Sequence, residues 1–111
     1  MLKECLFCRM VSGELPVPKL LETDTLFVVK DINPLAPVHL LVIPKEHWST
    51  LMDLPESRKD ILGDIFLVAR KIAKDLGIDE QGFRIIHNVK EWGGQKVMHL
   101  HFHVLGGIKF D

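Results

Sequence analysis

The most concentrated chemistry in this 111-residue chain lies in His99-Leu100-His101-Phe102-His103. Side chains alternate across an extended strand, so the three imidazoles are expected on one face, roughly 6–7 Å apart in succession. Leu100, Phe102 and Val104 then turn to the other face, toward a core. A row of neutral imidazoles supplies a nucleophile, a proton donor and a positioning group in one place, with proton affinities near working pH. Imidazole attacks phosphorus readily, and its N–P adduct hydrolyses. Just upstream, Gly93-Gly94 allows backbone N–H groups to approach an anion, and Gln95 adds a neutral donor. Two other readings stand beside catalysis. The histidines could be unrelated, each satisfied in place, or they could form a metal-binding face in which His-x-His donates to zinc.

A second constellation is Cys5-Leu6-Phe7-Cys8. In a reducing compartment C-x-x-C is more often half a metal site or a redox pair than a structural bridge. Structural zinc takes four N/S ligands, so two histidines would complete the set. The spacing does not say which two of the six.

The elements that must position these residues follow from the rest of the chain. Its length suits one domain, spanning 1–111, with no repeats or linkers. Hydrophobic residues make up 47% and charged residues 26%, which disfavours disorder, collagen and coiled coil. A net charge of −1 disfavours a broad groove for a nucleic-acid polymer, but not a local site for a small anion. No uninterrupted apolar run, Leu40 to Ile43 included, is long enough to span a bilayer, and no leader is visible, so the expectation is a cytoplasmic protein without membrane contact. Leu6 to Val11 reads as a short helix stopped by Ser12-Gly13. Leu20 to Glu22 and Leu26 to Lys30 read as a hairpin, and His39 to Ile43 as a strand closed by Pro44. Asp53, Pro55 and Glu56 look like the start of one long helix, which Gly77 ends. Its apolar stripe spans roughly 160°, wide enough for one edge to meet a second subunit. Phe83 to His87 and Val97 to Leu105 are the last two strands. Strands around one helix, without βαβ alternation, give an α+β fold with an antiparallel sheet.

The stretch G-G-Q-K-V-M-H-L-H-F-H-V-L-G-G resembles the signature of the histidine-triad (HIT) family, Hint branch, of the zinc-bearing bacterial type. The run Lys30 to His39 and the run Leu41 to His47 resemble the family's nucleotide-binding hairpin and loop, so the likeness covers nearly the whole chain. It implies one α+β unit with a five-stranded antiparallel sheet, a long helix and a short N-terminal helix. Two such units form a homodimer with a continuous ten-stranded sheet. It implies a purine mononucleotide substrate and hydrolysis of nucleoside phosphoramidates and related adenylates. His101 is then the nucleophile at the α-phosphorus, its other ring nitrogen held by a carbonyl. His103 stands on the leaving-group side, and His39 is a fourth histidine behind the triad. Asp31 would hold the ribose hydroxyls, the plainer reading being a turn carboxylate. Phe7, Met10, Val29, Ile32 and Leu41 match base-pocket positions, although apolar residues at such spacings are usually core. Asn88, Gly94, Gln95, Lys96 and Val97 match substrate-contacting positions.

The same resemblance completes the metal set. Cys5 and Cys8 would be joined by His47 and by His99, the first triad histidine, around a structural zinc ion, with a free or redox thiol pair as the alternative. Departures from the pattern are also visible. Lys96 stands where the family often has Ser, and Val29 where it often has an aromatic. The chain ends at Asp111, short of the tail found in animal members, and Trp92 is a candidate to cover the leaving-group side, a plain surface aromatic being the alternative. His87 matches no family role and reads as a buried, hydrogen-bonded histidine. Two further functions remain open: a nucleotide-binding module without significant turnover, and a zinc hydrolase with its metal on His99, His101 and His103.

Overall fold

The computed structural model describes residues 4–111. Five strands form its sheet: Leu21–Glu22 (β1), Leu26–Lys30 (β2), Val38–Pro44 (β3), Arg84–Ile86 (β4) and Phe102–Gly106 (β5). Their order is β1-β2-β3-β5-β4, and every neighbouring pair is antiparallel. In β2 and β3, consecutive side chains are buried, the pattern of strands covered on both faces.

Each face has its own cover. Leu26, Val28, Leu40, Val42, Leu100, Phe102 and Val104 share a core with Ile61, Ile65, Ala69, Ile72 and Ala73 of the long helix Asp60–Asp75. Phe27, Val29, Leu41 and Ile43 share the opposite core with Phe7 and Met10 of the short helix Leu6–Ser12. These helices are α1 (Leu6–Ser12) and α2 (Asp60–Asp75). Because Leu100, Phe102 and Val104 face α2, the alternating histidines face α1, as their spacing requires.

Two boundaries differ from expectation. Asp53 does not start the long helix. It closes a capping box with Thr50 on the single 3₁₀ turn Leu51–Asp53, and a second turn, Glu56–Arg58, intervenes before α2. Pro55 accounts for the break: it has no N–H to donate and holds Leu54 extended, at φ −71°, ψ 119°. The far end is as read. Gly77 adopts φ +74°, donates to the Lys74 carbonyl, and Ile78 N–H reaches back to the Ala73 carbonyl. The last strand is shorter than expected and starts at Phe102, not Val97. Residues 97–99 bend, with His99 N–H bonded to Val97 carbonyl at 2.9 Å, and Leu100 N–H reaches the Trp48 carbonyl at 2.7 Å. Two of the three triad histidines therefore precede the ladder. Among the described residues, no helix is long and apolar enough to cross a membrane.

Candidate functional site

His101 is buried, and its Nδ1 lies 2.7 Å from the His99 carbonyl oxygen. A carbonyl only accepts, so Nδ1 carries the hydrogen and Nε2 carries the lone pair. The Phe7 ring, from α1, makes T-shaped contacts with His101 at 5.1 Å between centroids and with His99 at 5.6 Å. Burial, ahead of all other influences, holds His101 below the ordinary imidazole value, so it is neutral and available as a base or nucleophile.

His103 lies next to it, ring centroids 5.1 Å apart. Its tautomer is set by a short relay from the backbone. Leu35 N–H donates to His39 Nδ1 at 3.0 Å, so neutral His39 carries its hydrogen on Nε2. That nitrogen lies 2.9 Å from His103 Nδ1 and donates to it. His103 is left with its hydrogen on Nε2, the atom not engaged by His39. Asp31 Oδ2 sits 3.3 Å from His39 Nε2 and 4.0 Å from His103 Nδ1. Its other oxygen accepts from Asn33 N–H at 2.8 Å, so the turn role read for Asp31 is present.

Burial, followed by the neighbouring His101 and His39, pushes His103 down to about 4 despite the Asp31 carboxylate. The unfolded chain thus binds a proton that the folded chain refuses. Stability is complete above the ordinary imidazole value and is lost as pH falls through the window from about 6.5 to about 4. Melting curves across that window should show His103→Asn losing less stability than the parent on acidification. Equal losses would mean that His103 is not the group responsible.

The loop before the triad uses its polar groups internally. Gln95 is buried and its amide is fully used inside the protein: Nε2 donates to the carbonyls of Ser49 (2.7 Å) and Val97 (3.0 Å), and Oε1 accepts from Lys90 N–H at 2.7 Å. Gly93 and Gly94 N–H groups donate to the carbonyls of Lys90 and Glu91. Asn88 Nδ2 donates to the Gly93 carbonyl at 2.8 Å. These groups build a rigid turn, so the donors expected to meet an anion are already engaged. A side chain at Gly93 would run into the Val89 carbonyl oxygen, which explains glycine there. Lys96 is exposed, and Trp92 at the turn's tip is wholly so.

Of the five base-pocket candidates, Phe7, Met10, Val29 and Leu41 form one buried cluster, with Val97 packed against it, whereas Ile32 is 88% exposed on the loop after β2. The plain core reading therefore fits four of them, and Ile32 stands apart.

The Cys-x-x-Cys turn opens α1, with Cys5 Sγ accepting from Cys8 N–H at 3.4 Å. Four donors converge there. Cys5 Sγ is 3.2 Å from His99 Nδ1, Cys8 Sγ is 3.3 Å from His47 Nδ1 and 3.6 Å from His99 Nδ1, and the two Nδ1 atoms are 3.0 Å apart. A tetrahedral ion bound at about 2.0–2.3 Å places its donors roughly 3.3–3.8 Å apart, close to this set. His99 Nε2 donates to the Pro44 carbonyl at 2.8 Å, so its Nδ1 presents a lone pair to the cluster. Burial holds His99 at about 4, and His47 also below the ordinary value, so both rings are neutral. Lone pairs directed at two sulfurs and another ring nitrogen call for a cation between them. Cys5, Cys8, His47 and His99 can thus hold a metal ion. An open cavity of about 630 Å³, lined in part by Cys5, His47, Ser49 and Lys96, adjoins them.

Asp31, His39 and His103 also approach one another closely. There, His39 Nε2 bears hydrogen because Nδ1 is taken, so that ring has no lone pair to give. Among the described residues, no metal-competent group combines His99, His101 and His103, and the zinc-hydrolase reading loses its geometry.

Several contributors had no signal in the sequence. The Leu35 amide and the carbonyls of His99, Pro44 and Trp48 are backbone groups, invisible to residue type. His87, read as a hydrogen-bonded histidine with no family role, donates from Nδ1 to the His101 carbonyl at 2.8 Å.

Comparison with known proteins agrees with this geometry. A family model described as HIT domain matches residues 12–110. The protein HitA of Neisseria gonorrhoeae is 39% identical over 102 residues, 92% of this chain and 94% of that protein. The purine nucleoside phosphoramidase of Escherichia coli (strain K12) is 38% identical over 107 residues, covering 96% of this chain and 90% of its own length. Among solved structures, a histidine triad protein from Clostridium difficile superposes with a TM-score of 0.96 at 44% identity, over 100% of this chain and 96% of the other. A HIT family hydrolase from Clostridium thermocellum gives 0.96 at 46%, with the same coverage.

Proposed function

The chain belongs to the HIT domain family, and from that membership we propose that it hydrolyses purine nucleoside phosphoramidates, with His101 as the nucleophile. The observation that carries this reading is the pair of ring tautomers. His101 Nδ1 is tied to the His99 carbonyl, leaving the Nε2 lone pair free, while the neighbouring His103 keeps a hydrogen on Nε2. A base and an acid of matched form stand side by side.

The proposed chemistry has two steps. His101 Nε2 forms a bond to the α-phosphorus as the phosphorus–nitrogen bond breaks; His103, having taken up one proton together with the anionic substrate, gives Nε2–H to the departing amine and is left neutral. The positive charge that develops on the His101 ring is stabilised through Nδ1–H and the His99 carbonyl 2.7 Å away. Water then attacks the same phosphorus, returns a proton to His103 and frees the nucleoside monophosphate and His101. The exposed Ile32, beyond β2, offers an apolar contact for the base.

In this reading the four-donor cluster holds zinc. Thiolate and imidazole ligands in a closed tetrahedral set suit that ion in a structural role. Because His99 belongs to the cluster and also accepts the His101 ring at its carbonyl, the ion would fix the peptide that aims the nucleophile.

The functional chain is also proposed to be a homodimer. β4 leaves the sheet open at one edge, and α2 exposes Phe66 and Leu67. Light scattering at micromolar concentration should give twice the 12.7 kDa chain mass, and a value near the single-chain mass would refute the dimer.

Incubation with adenosine 5′-phosphoramidate tests the function directly. Release of AMP and ammonia is expected. Tight AMP binding in calorimetry with no turnover would replace the hydrolase by a nucleotide-binding module.

A further inference from the structure

Building on that reading of His101, we infer that His87 is a positioning residue, its imidazole replacing a missing rung of the sheet to hold the nucleophile's backbone in place.

The register of β4 against β5 sets Arg84 opposite Leu105, Ile85 opposite Val104 and Ile86 opposite His103, and there the ladder ends. In an antiparallel pair, residues two apart point their N–H and C=O groups to the same neighbour. The next rung would therefore join the backbone N–H of Asn88 to the carbonyl of His101. That bond is made instead by a side chain: His87 Nδ1–H donates to the His101 carbonyl at 2.8 Å. The ring lies flat on Phe102, centroids 3.9 Å apart and planes within 12°, and Phe102 is the first residue of β5. Its donor is thereby aimed along the sheet.

His87 is a poor choice as filler. Its Nε2 is buried and has no hydrogen-bond partner among the described residues. A buried orphan acceptor destabilises the fold, a penalty that a leucine or phenylalanine would avoid. What the imidazole supplies and those residues lack is the one N–H at the His101 carbonyl.

That carbonyl matters because residues 99–101 lie outside the ladder. The segment is secured one contact at a time, by Leu100 N–H at the Trp48 carbonyl, by His99 at the cysteine cluster, and by His87 at His101. Without the last, the peptide carrying the nucleophile is free to drift, and a displacement of about 1 Å is enough to lower a rate on the order of 10²-fold.

Two substitutions separate the hydrogen bond from the stacking. His87→Phe keeps the flat contact with Phe102 and removes the donor. His87→Asn loses most of the stacking but keeps an amide nitrogen where Nδ1 was. With adenosine 5′-phosphoramidate, H87F should lower kcat tenfold to a hundredfold, with KM and AMP affinity within twofold of the parent. H87N should return kcat to within threefold of the parent. A parental kcat in H87F overturns the inference, and so does equal impairment of the two variants. Imidazole ¹⁵N shifts of the unaltered protein give an independent reading: a hydrogen on His87 Nδ1 supports the inference, a hydrogen on Nε2 overturns it. If the unaltered protein turns over no phosphoramidate, the proposed function fails, and the ¹⁵N spectrum then judges the His87 bond by itself. The same spectrum decides the matter if H87F does not fold.

Discussion

Replacing His101 by alanine is expected to lower phosphoramidate kcat by three orders of magnitude or more, with AMP affinity changed less than tenfold. The asymmetry is the informative part. His101 supplies the attacking lone pair, so its loss removes the covalent route, and whatever turnover persists comes from binding and the remaining groups, as when other nucleophiles are deleted. Its ring also packs on Phe7, but the cluster of Phe7, Met10, Val29 and Leu41 has further members and should survive the truncation. His103 makes a useful contrast. It acts as an acid, so its removal should reduce the rate by roughly 10²–10⁴-fold, and less for a leaving group that departs without a proton. A parental kcat in H101A would exclude nucleophilic catalysis at this residue.

Removing the metal is expected to have the largest effect on stability. An ion bound only to the folded chain, with free zinc at about 10⁴ times the dissociation constant, contributes about 5.5 kcal/mol. For a domain of this size each kcal/mol moves the midpoint by roughly 4 °C, so chelation should lower Tm by about 20 °C. Cys8→Ser should reproduce most of that fall and reduce bound zinc well below one per chain. Cys8 is buried and faces both His47 and His99, so its replacement weakens two contacts of the cluster at once. The protein should still fold without metal, because the core between the sheet and α2 contains none of the four cluster residues. An unchanged Tm after complete removal of metal, verified by elemental analysis, would leave the four residues as a thiol–imidazole cluster without a structural ion.

The legible parts of the molecule were those fixed by periodicity. The alternation of His99, His101 and His103 with Leu100, Phe102 and Val104 places the imidazoles and the core on opposite faces, and it does so even though His99 and His101 precede the ladder. Extended backbone suffices for alternation, and a partner strand is not required. The glycine end of α2 was equally readable, because few residues other than Gly77 tolerate φ +74°. Its start was not. Asp53, Pro55 and Glu56 have the right types for a helix cap, but Thr50 claims the Asp53 carboxylate first, at 2.9 Å from Oγ1.

The site was legible in its residue types and not in their allegiances. Gln95, Asn88, Gly93 and Gly94 are donors by composition, yet the turn uses their donors itself. Which histidines join the cysteines was given by family resemblance alone, since the spacing left all six eligible, and the structure brings His47 and His99 to Cys5 and Cys8. The tautomers of His101 and His103, on which the proposed chemistry depends, come from a carbonyl and an amide that no residue-level pattern records.

The most direct measurement is rapid acid-free quenching of the protein during turnover of a phosphoramidate labelled at the α-phosphorus, followed by peptide mapping. Label on the imidazole of His101, absent in H101A and lost at the rate at which AMP appears, is the expected result. Label on any other residue, or steady turnover with none bound to the protein, would contradict a nucleotidyl–His101 intermediate.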